Sequence, residues 1–182
     1  MKRNLLLSIL FFFVFKQAAS QVYYTKNGNI SFYSKSPLQN IEAENNQVIS
    51  VLNIQNGELQ FSLLNNAFHF PKAKMEEDFN ENYIESDKYP RSSFKGMVTD
   101  INHVDLKRDG TYPLMVNGDL TIHGITKPIT VNGTIIISKG TISANSSFTV
   151  LVKDYGIKIP TIFSNKIAEK IKIKISCSYQ EK

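Results

Sequence analysis

The segment Lys170 to Tyr179, KIKIKISCSY, alternates strictly. Ile171, Ile173, Ile175, Cys177 and Tyr179 fall on one face, and Lys170, Lys172, Lys174, Ser176 and Ser178 on the other. A period of two sustained over such a length predicts a β-strand with one buried and one solvated side. Cys177 shares the apolar face and reads as a small core residue.

A looser alternation runs through the rest of the chain. It predicts strands near Val22–Thr25, Ile30–Ser34, Ile41–Glu44, Val48–Ile54, Glu58–Leu64, Ser93–Ile101, Leu114–Ile122, Thr130–Ile137 and Thr141–Val152. The pairs Asn27-Gly28, Asn56-Gly57, Asp109-Gly110 and Lys139-Gly140 place glycine where a tight reversal calls for positive φ. Many strands joined by short turns predict an all-β fold, an antiparallel sheet closed into a barrel or packed as a sandwich. One segment departs from this rhythm. Ala73 to Ile84, AKMEEDFNENYI, sets Met75, Phe79 and Tyr83 at four-residue steps, which is one stripe of a short amphipathic helix. Glu76, Glu77 and Asp78 stand in its early turns, where the helix dipole favours carboxylates. Pro71 and Pro90 bracket it.

The opening residues alter the charge argument. Lys2 and Arg3, the apolar run Leu5 to Phe15 and the small residues Ala18-Ala19-Ser20 form the three-part pattern of a secretory signal peptide. Residues 1–20 are therefore expected to be removed, leaving one domain, 21–182, in the periplasm or outside the cell. The whole chain of 182 residues carries a formal charge of +5; without Lys2, Arg3 and Lys16 there remain 18 basic and 16 acidic residues, a net +2. A nearly neutral domain lacks the electrostatic footprint of a nucleic-acid binder. With Cys177 as the single cysteine, no internal disulfide can form, and stability must come from a packed core.

Candidate chemistry is sparse. Nucleophilic catalysis needs a nucleophile, a base and a group that orients the base. The three histidines, His69, His103 and His123, lie in no such arrangement, and no HxxxH or CxxC pair suggests zinc. His123, between two β-branched runs and beside Gly124, reads first as a turn histidine whose imidazole satisfies nearby backbone. Its second reading is a polar donor at a pocket mouth. The aromatics say more. Phe61, Phe68, Phe70, Met75 and Phe79 crowd into one short stretch, as core packing or as the lining of a cavity, since a sheet closed by about eight strands can enclose either side chains or one small ligand. The lysine row of 170, 172 and 174 reads as a solvated face or a guarded edge strand, with transient contact to a membrane surface as its sharper alternative.

Three segments carry a resemblance. They are NENYIESDKYPRSSFKG (Asn80 to Gly96), NGDLTIHGITKPITVNG (Asn117 to Gly133) and KDYGIKIP (Lys153 to Pro160), in that order, with a compatible opening at Gly28 to Asn53. Together they resemble the YceI-like family of bacterial secreted lipid-binding proteins, over essentially all of residues 21–182. The resemblance implies a lipocalin-like extended antiparallel β-barrel with one short amphipathic helix inserted between strands. It also implies an apolar interior that holds a long isoprenoid or similar amphiphile, and it places His123-Gly124 in the connection between paired strands. In one respect the chain departs from the pattern: where the family often carries histidine before the phenylalanine of the helix, Asp78 precedes Phe79, an unfavourable neighbour for an anionic head group.

The expectation is then a non-enzymatic exported protein that sequesters an amphiphilic lipid of polyisoprenoid or quinone type, with no other cofactor and no metal. The apolar lining is assigned to Phe61, Phe68, Phe70, Met75, Phe79, Tyr83, Phe94 and Met97, and the polar mouth to His123 and Tyr155. The alternative is a protein-interaction barrel with a filled core and no ligand.

Overall fold

The computed structural model describes residues 21–182; the expected signal peptide lies outside the described residues. Eight strands, β1 (Val22–Lys35), β2 (Asn40–Asn53), β3 (Glu58–Leu64), β4 (Arg91–Val98), β5 (Gly110–Ile122), β6 (Ile125–Ser138), β7 (Thr141–Leu151) and β8 (Lys170–Glu181), follow one another around a closed barrel. All neighbours are antiparallel, and β1 pairs with β8 to complete the ring. Closure leaves no edge for the lysine row to guard. Lys170, Lys172 and Lys174 form an exposed outer face, while Ile171, Ile173 and Ile175 point inward.

The ten predicted strands become eight because two predicted breaks are not breaks. Gly28 lies inside β1 at a register shift against β2, without positive φ. Its role is close approach: a Cβ there would sit 2.7 Å from Cys177 Sγ and 3.2 Å from the Val48 carbonyl oxygen. Opposite it, β2 runs unbroken through Glu44-Asn45-Asn46-Gln47 because the fully buried Asn45 is satisfied. Its amide donates to the Leu64 carbonyl (2.9 Å), and its Oδ1 accepts from the Gln47 N–H (2.9 Å). Gly110 likewise has no positive φ and opens β5 as the partner of Ile137; the left-handed residue of the β4–β5 connection is Asp100 (φ 59°). Two connections are two-residue reversals with both φ positive: Lys139-Gly140 (48°, 77°) and His123-Gly124 (50°, 72°). This turn type matches the twist of the strands it joins.

The helix is shorter than its periodicity predicts. Helix α1 (Ala73–Asp78) passes into a π-helical turn over Phe79–Tyr83, where the Ile84 N–H donates to the Phe79 carbonyl (2.8 Å). Met75, Phe79 and Tyr83 nevertheless all face the barrel interior.

Antiparallel winding gathers the connections into two ends. At one lie the β1–β2 loop, the α1-bearing β3–β4 insertion, the His123-Gly124 turn and the β7–β8 loop. At the other lie the β2–β3, β4–β5 and β6–β7 connections. The second end is packed by side chains, among them Leu52, Ile54, Val98, Ile137, Ile142 and Tyr179. The first end is where the interior opens.

Candidate functional site: an apolar hollow in the barrel

The inward face of each strand carries alternate apolar residues, and they do not meet across the barrel. Between them lies a hollow of about 760 Å³, within the range of about 300–1,000 Å³ usual for small-molecule sites. Leu52, Leu59, Val98, Ile135 and Tyr179 form its floor. Ile171, Ile173 and Ile175 of β8, Leu114, Val116 and Leu120 of β5, and Ile129 and Val131 of β6 form its walls. Gly133 of β6 and Ser146 of β7, paired in register, keep one wall thin. The filled-core alternative required no internal cavity, and the hollow contradicts it.

Four phenylalanines close one side of the opening. The Phe32 ring centroid lies 5.2 Å from Phe68, 5.7 Å from Phe70 and 5.4 Å from Phe79. Tilted and edge-on contacts of this kind add to plain area burial. A second pair, Phe61 and Phe94, stands in register across β3 and β4 with centroids 6.4 Å apart. The Phe94 ring lies over Gly96 and Gly118, paired glycines of β4 and β5: a Cβ on either would come within 2.6 Å of Phe94 Cζ.

The structure brings Phe61, Phe68, Phe70, Met75, Phe79, Tyr83 and Phe94 together on the wall of this hollow. It corrects the placement of three others. Met97 is 43% exposed on the outer surface. Phe94 and Met97 are three residues apart on one strand, and an odd separation puts side chains on opposite faces. His123 and Tyr155 stand at the open end but do not line the hollow. The His123 imidazole is turned away, with Nδ1 3.0 Å from the Tyr155 carbonyl and Nε2 2.7 Å from Glu85 Oε2, while Tyr155 is buried in the core. Backbone satisfaction, the first reading of this histidine, is the contact observed.

Sequence reasoning missed other lining residues. Phe32 and the Ile171–Ile175 row were legible as the buried faces of strands, but periodicity does not tell a face packed on a core from one bordering a hollow. Phe163 of the β7–β8 loop had no periodic signal at all. Polar groups enter mainly near the opening: Gln39, Asn82, Asp78 and Lys166. The Asp78 carboxylate is 3.1 Å from Lys74 Nζ. Asn65, fully buried, donates to the Tyr89 carbonyl (2.6 Å) and accepts from the Ser92 hydroxyl (2.8 Å), fixing the return of the helical insertion to β4. Among the described residues, no group of three or more His, Cys, Asp or Glu is placed to hold a metal ion.

A family model described as the YceI-like domain matches residues 15–179. No curated protein matches the chain. Among solved structures, a polyisoprenoid binding domain from Saccharophagus degradans, described as implicated in plant cell wall breakdown, superposes with a TM-score of 0.78 at 13% identity, covering 89% of this chain and 99% of that one. BcnA of Burkholderia cenocepacia gives a TM-score of 0.66 at 15% identity, covering 84% and 96%. The YCEI protein of Campylobacter jejuni gives 0.59 at 14% identity over 100% of both chains. At such identities the likeness is one of fold.

Proposed function

The chain belongs to the YceI-like family, and on that premise we propose that it is an exported, non-catalytic carrier that holds the tail of a polyisoprenoid or quinone-type lipid inside the barrel. The observation that carries this reading is the continuous apolar hollow of about 760 Å³, open at the helical end. The likeness in fold to a polyisoprenoid binding domain is in keeping with the same cargo class.

The energetics suit a carrier. Each buried methylene contributes about 0.8 kcal/mol, so one five-carbon isoprene unit can contribute roughly 3–4 kcal/mol before ordering costs. Affinities saturate near about −18 to −21 kcal/mol, so a few units supply all the binding such a site can use. No strong polar anchor is required. At the opening the lining carries both Asp78, paired with Lys74, and Lys166, so the charges there do not select a head group by sign.

Native mass spectrometry of the protein purified from its own host tests the reading. The expected result is a mass increment that dissociates as a prenyl lipid, together with displacement of an apolar fluorescent probe by isoprenoids. A ligand-free protein from which isoprenoids displace no probe would overturn it.

A further inference from the structure

Two loops at the open end carry the most exposed large apolar side chains among the described residues. Ile162 of the β7–β8 loop is 79% exposed and Leu38 of the β1–β2 loop is 69% exposed, against at most 45% for any other. The loops form one surface. The Leu38 N–H donates to the Asn165 carbonyl (3.3 Å), and the Ala168 N–H donates to the hydroxyl of Ser34 (2.8 Å). This surface borders the hollow directly, because Gln39 of one loop and Phe163 of the other belong to its lining.

The stretches nearest these tips carry only positive charge, the carboxylates of the β7–β8 connection, Asp154 and Glu169, standing at its two ends. Residues 35–40 and 158–168 contain Lys35, Lys158 and Lys166 and no aspartate or glutamate, and all three lysines are exposed. The opposite rim differs. Helix α1 and its π-helical turn carry Glu76, Glu77, Asp78 and Glu81, and Lys74 is already shared between Glu77 and Asp78 at 3.1 Å each. The opening is thus polarised, with a basic rim tipped by apolar side chains facing an acidic helical rim.

We propose that the Leu38 and Ile162 loops dock this protein on the surface of an anionic lipid bilayer. The two apolar tips enter the boundary between head groups and acyl chains, and Lys35, Lys158 and Lys166 lie against the anionic head groups. The acidic rim is held away from the membrane, so the barrel leans on its basic side with the opening at the lipid surface. A lipid tail then passes between bilayer and hollow across the Phe163 edge without crossing water. The proposal rests on the carrier reading for its purpose, but its geometry concerns different residues: Leu38, Ile162, Lys35 and Lys158 do not line the hollow.

Co-sedimentation of the purified protein with phosphatidylcholine vesicles, with and without phosphatidylglycerol, is the test. Binding is expected to require phosphatidylglycerol and to weaken with added salt. The double variants Leu38→Ser/Ile162→Ser and Lys35→Glu/Lys158→Glu are each expected to reduce vesicle partitioning by about tenfold or more. Both should leave displacement of a fluorescent apolar probe from the hollow, measured without vesicles, unchanged. Probe uptake with no vesicle binding, or vesicle binding indifferent to both double variants, overturns the docking and leaves the carrier intact. Vesicle binding that depends on these residues in a protein taking up no probe supports the docking and removes the carrier. Self-association abolished by Leu38→Ser/Ile162→Ser, with no vesicle binding, assigns the patch to a second copy of the chain and overturns the proposal.

Discussion

His123 Nε2 lies 2.7 Å from Glu85 Oε2, joining the tip of the β5–β6 hairpin to the segment that follows the helical insertion. The other ring nitrogen faces the Tyr155 carbonyl at 3.0 Å. A carbonyl only accepts, so Nδ1 carries a hydrogen and donates to it, and Nε2 is the nitrogen that meets the carboxylate. The imidazole side chain is 10% exposed and packs edge-on against Tyr89, with centroids 4.3 Å apart. One side chain therefore ties three of the four connections at the open end.

This arrangement predicts a structural phenotype for His123. His123→Ala removes both hydrogen bonds and leaves the Tyr155 carbonyl without that donor, a loss of about 2–3 kcal/mol. Glu85→Gln keeps an acceptor for Nε2 and should cost about 1 kcal/mol or less, since Glu85 is partly solvated. Chemical denaturation of the two variants checks the ranking. Near-equal losses would count against the clamp.

The inward glycines of β4, β5 and β6 differ sharply in what they tolerate. A Cβ at Gly96 would collide with the Asn117 carbonyl oxygen, and one at Gly118 with that of Lys95. At Gly133 the nearest atoms are 3.6 Å away. Gly96→Ala and Gly118→Ala should destabilise by about 1–3 kcal/mol or more, because backbone must move and Phe94 is displaced. Gly133→Ala should be nearly neutral. Gly133→Leu should keep the fold while occupying the hollow, weakening apolar-probe binding by about tenfold. Thermal melts and probe titration separate these outcomes.

Asn65 is fully buried with its side-chain amide and carbonyl both used. Asn65→Ala strands the Tyr89 carbonyl and the Ser92 hydroxyl, and should cost about 2–4 kcal/mol, since each buried group left unpaired costs about 1–3. Amide hydrogen exchange should localise the loss to the helical insertion and the start of β4. Uniform loss across the barrel would contradict that assignment.

Burial pushes the Cys177 thiol up to about 12 from an ordinary 9.0, and it raises the Tyr179 hydroxyl as well. Both groups stay neutral when folded. Above pH 9 the unfolded chain releases the thiol proton while the folded chain keeps it, so stability falls as pH rises from about 9 towards 12. The slope from Cys177 approaches about 1.4 kcal/mol per pH unit. Urea titrations at about pH 8 and about pH 10 should show a loss of roughly 1 kcal/mol, smaller in Cys177→Ala. Thiol reagents should react with the native protein only as fast as it opens.

Much of this architecture was written in alternation. The KIKIKI face, the four-residue spacing of Met75, Phe79 and Tyr83, and the Lys139-Gly140 reversal all survive into the structure because each depends on local geometry. The errors share a cause. The Asn27-Gly28 pair predicts a turn because Asn-Gly favours tight reversals, whereas the small size of Gly28 serves contact with Cys177, far away in the chain. Composition groups Met97 with Phe94, but their odd spacing on β4 separates them. Nothing local in the sequence reveals Glu85 or the Tyr155 carbonyl as partners of His123, which is why its neighbourhood alone leaves the pocket mouth open as a second reading.

By itself, then, the order of residues determined which stretches extend, which face of each is apolar, where the helical stripe falls and which family the chain resembles. Only the tertiary structure decided that the facing apolar rows stop short of one another and leave a hollow, and which polar side chains turn from it. The physical reason is that alternation specifies a direction, inward or outward. The gap between opposed walls depends on how the closed sheet sets those walls apart, and no single strand encodes that distance.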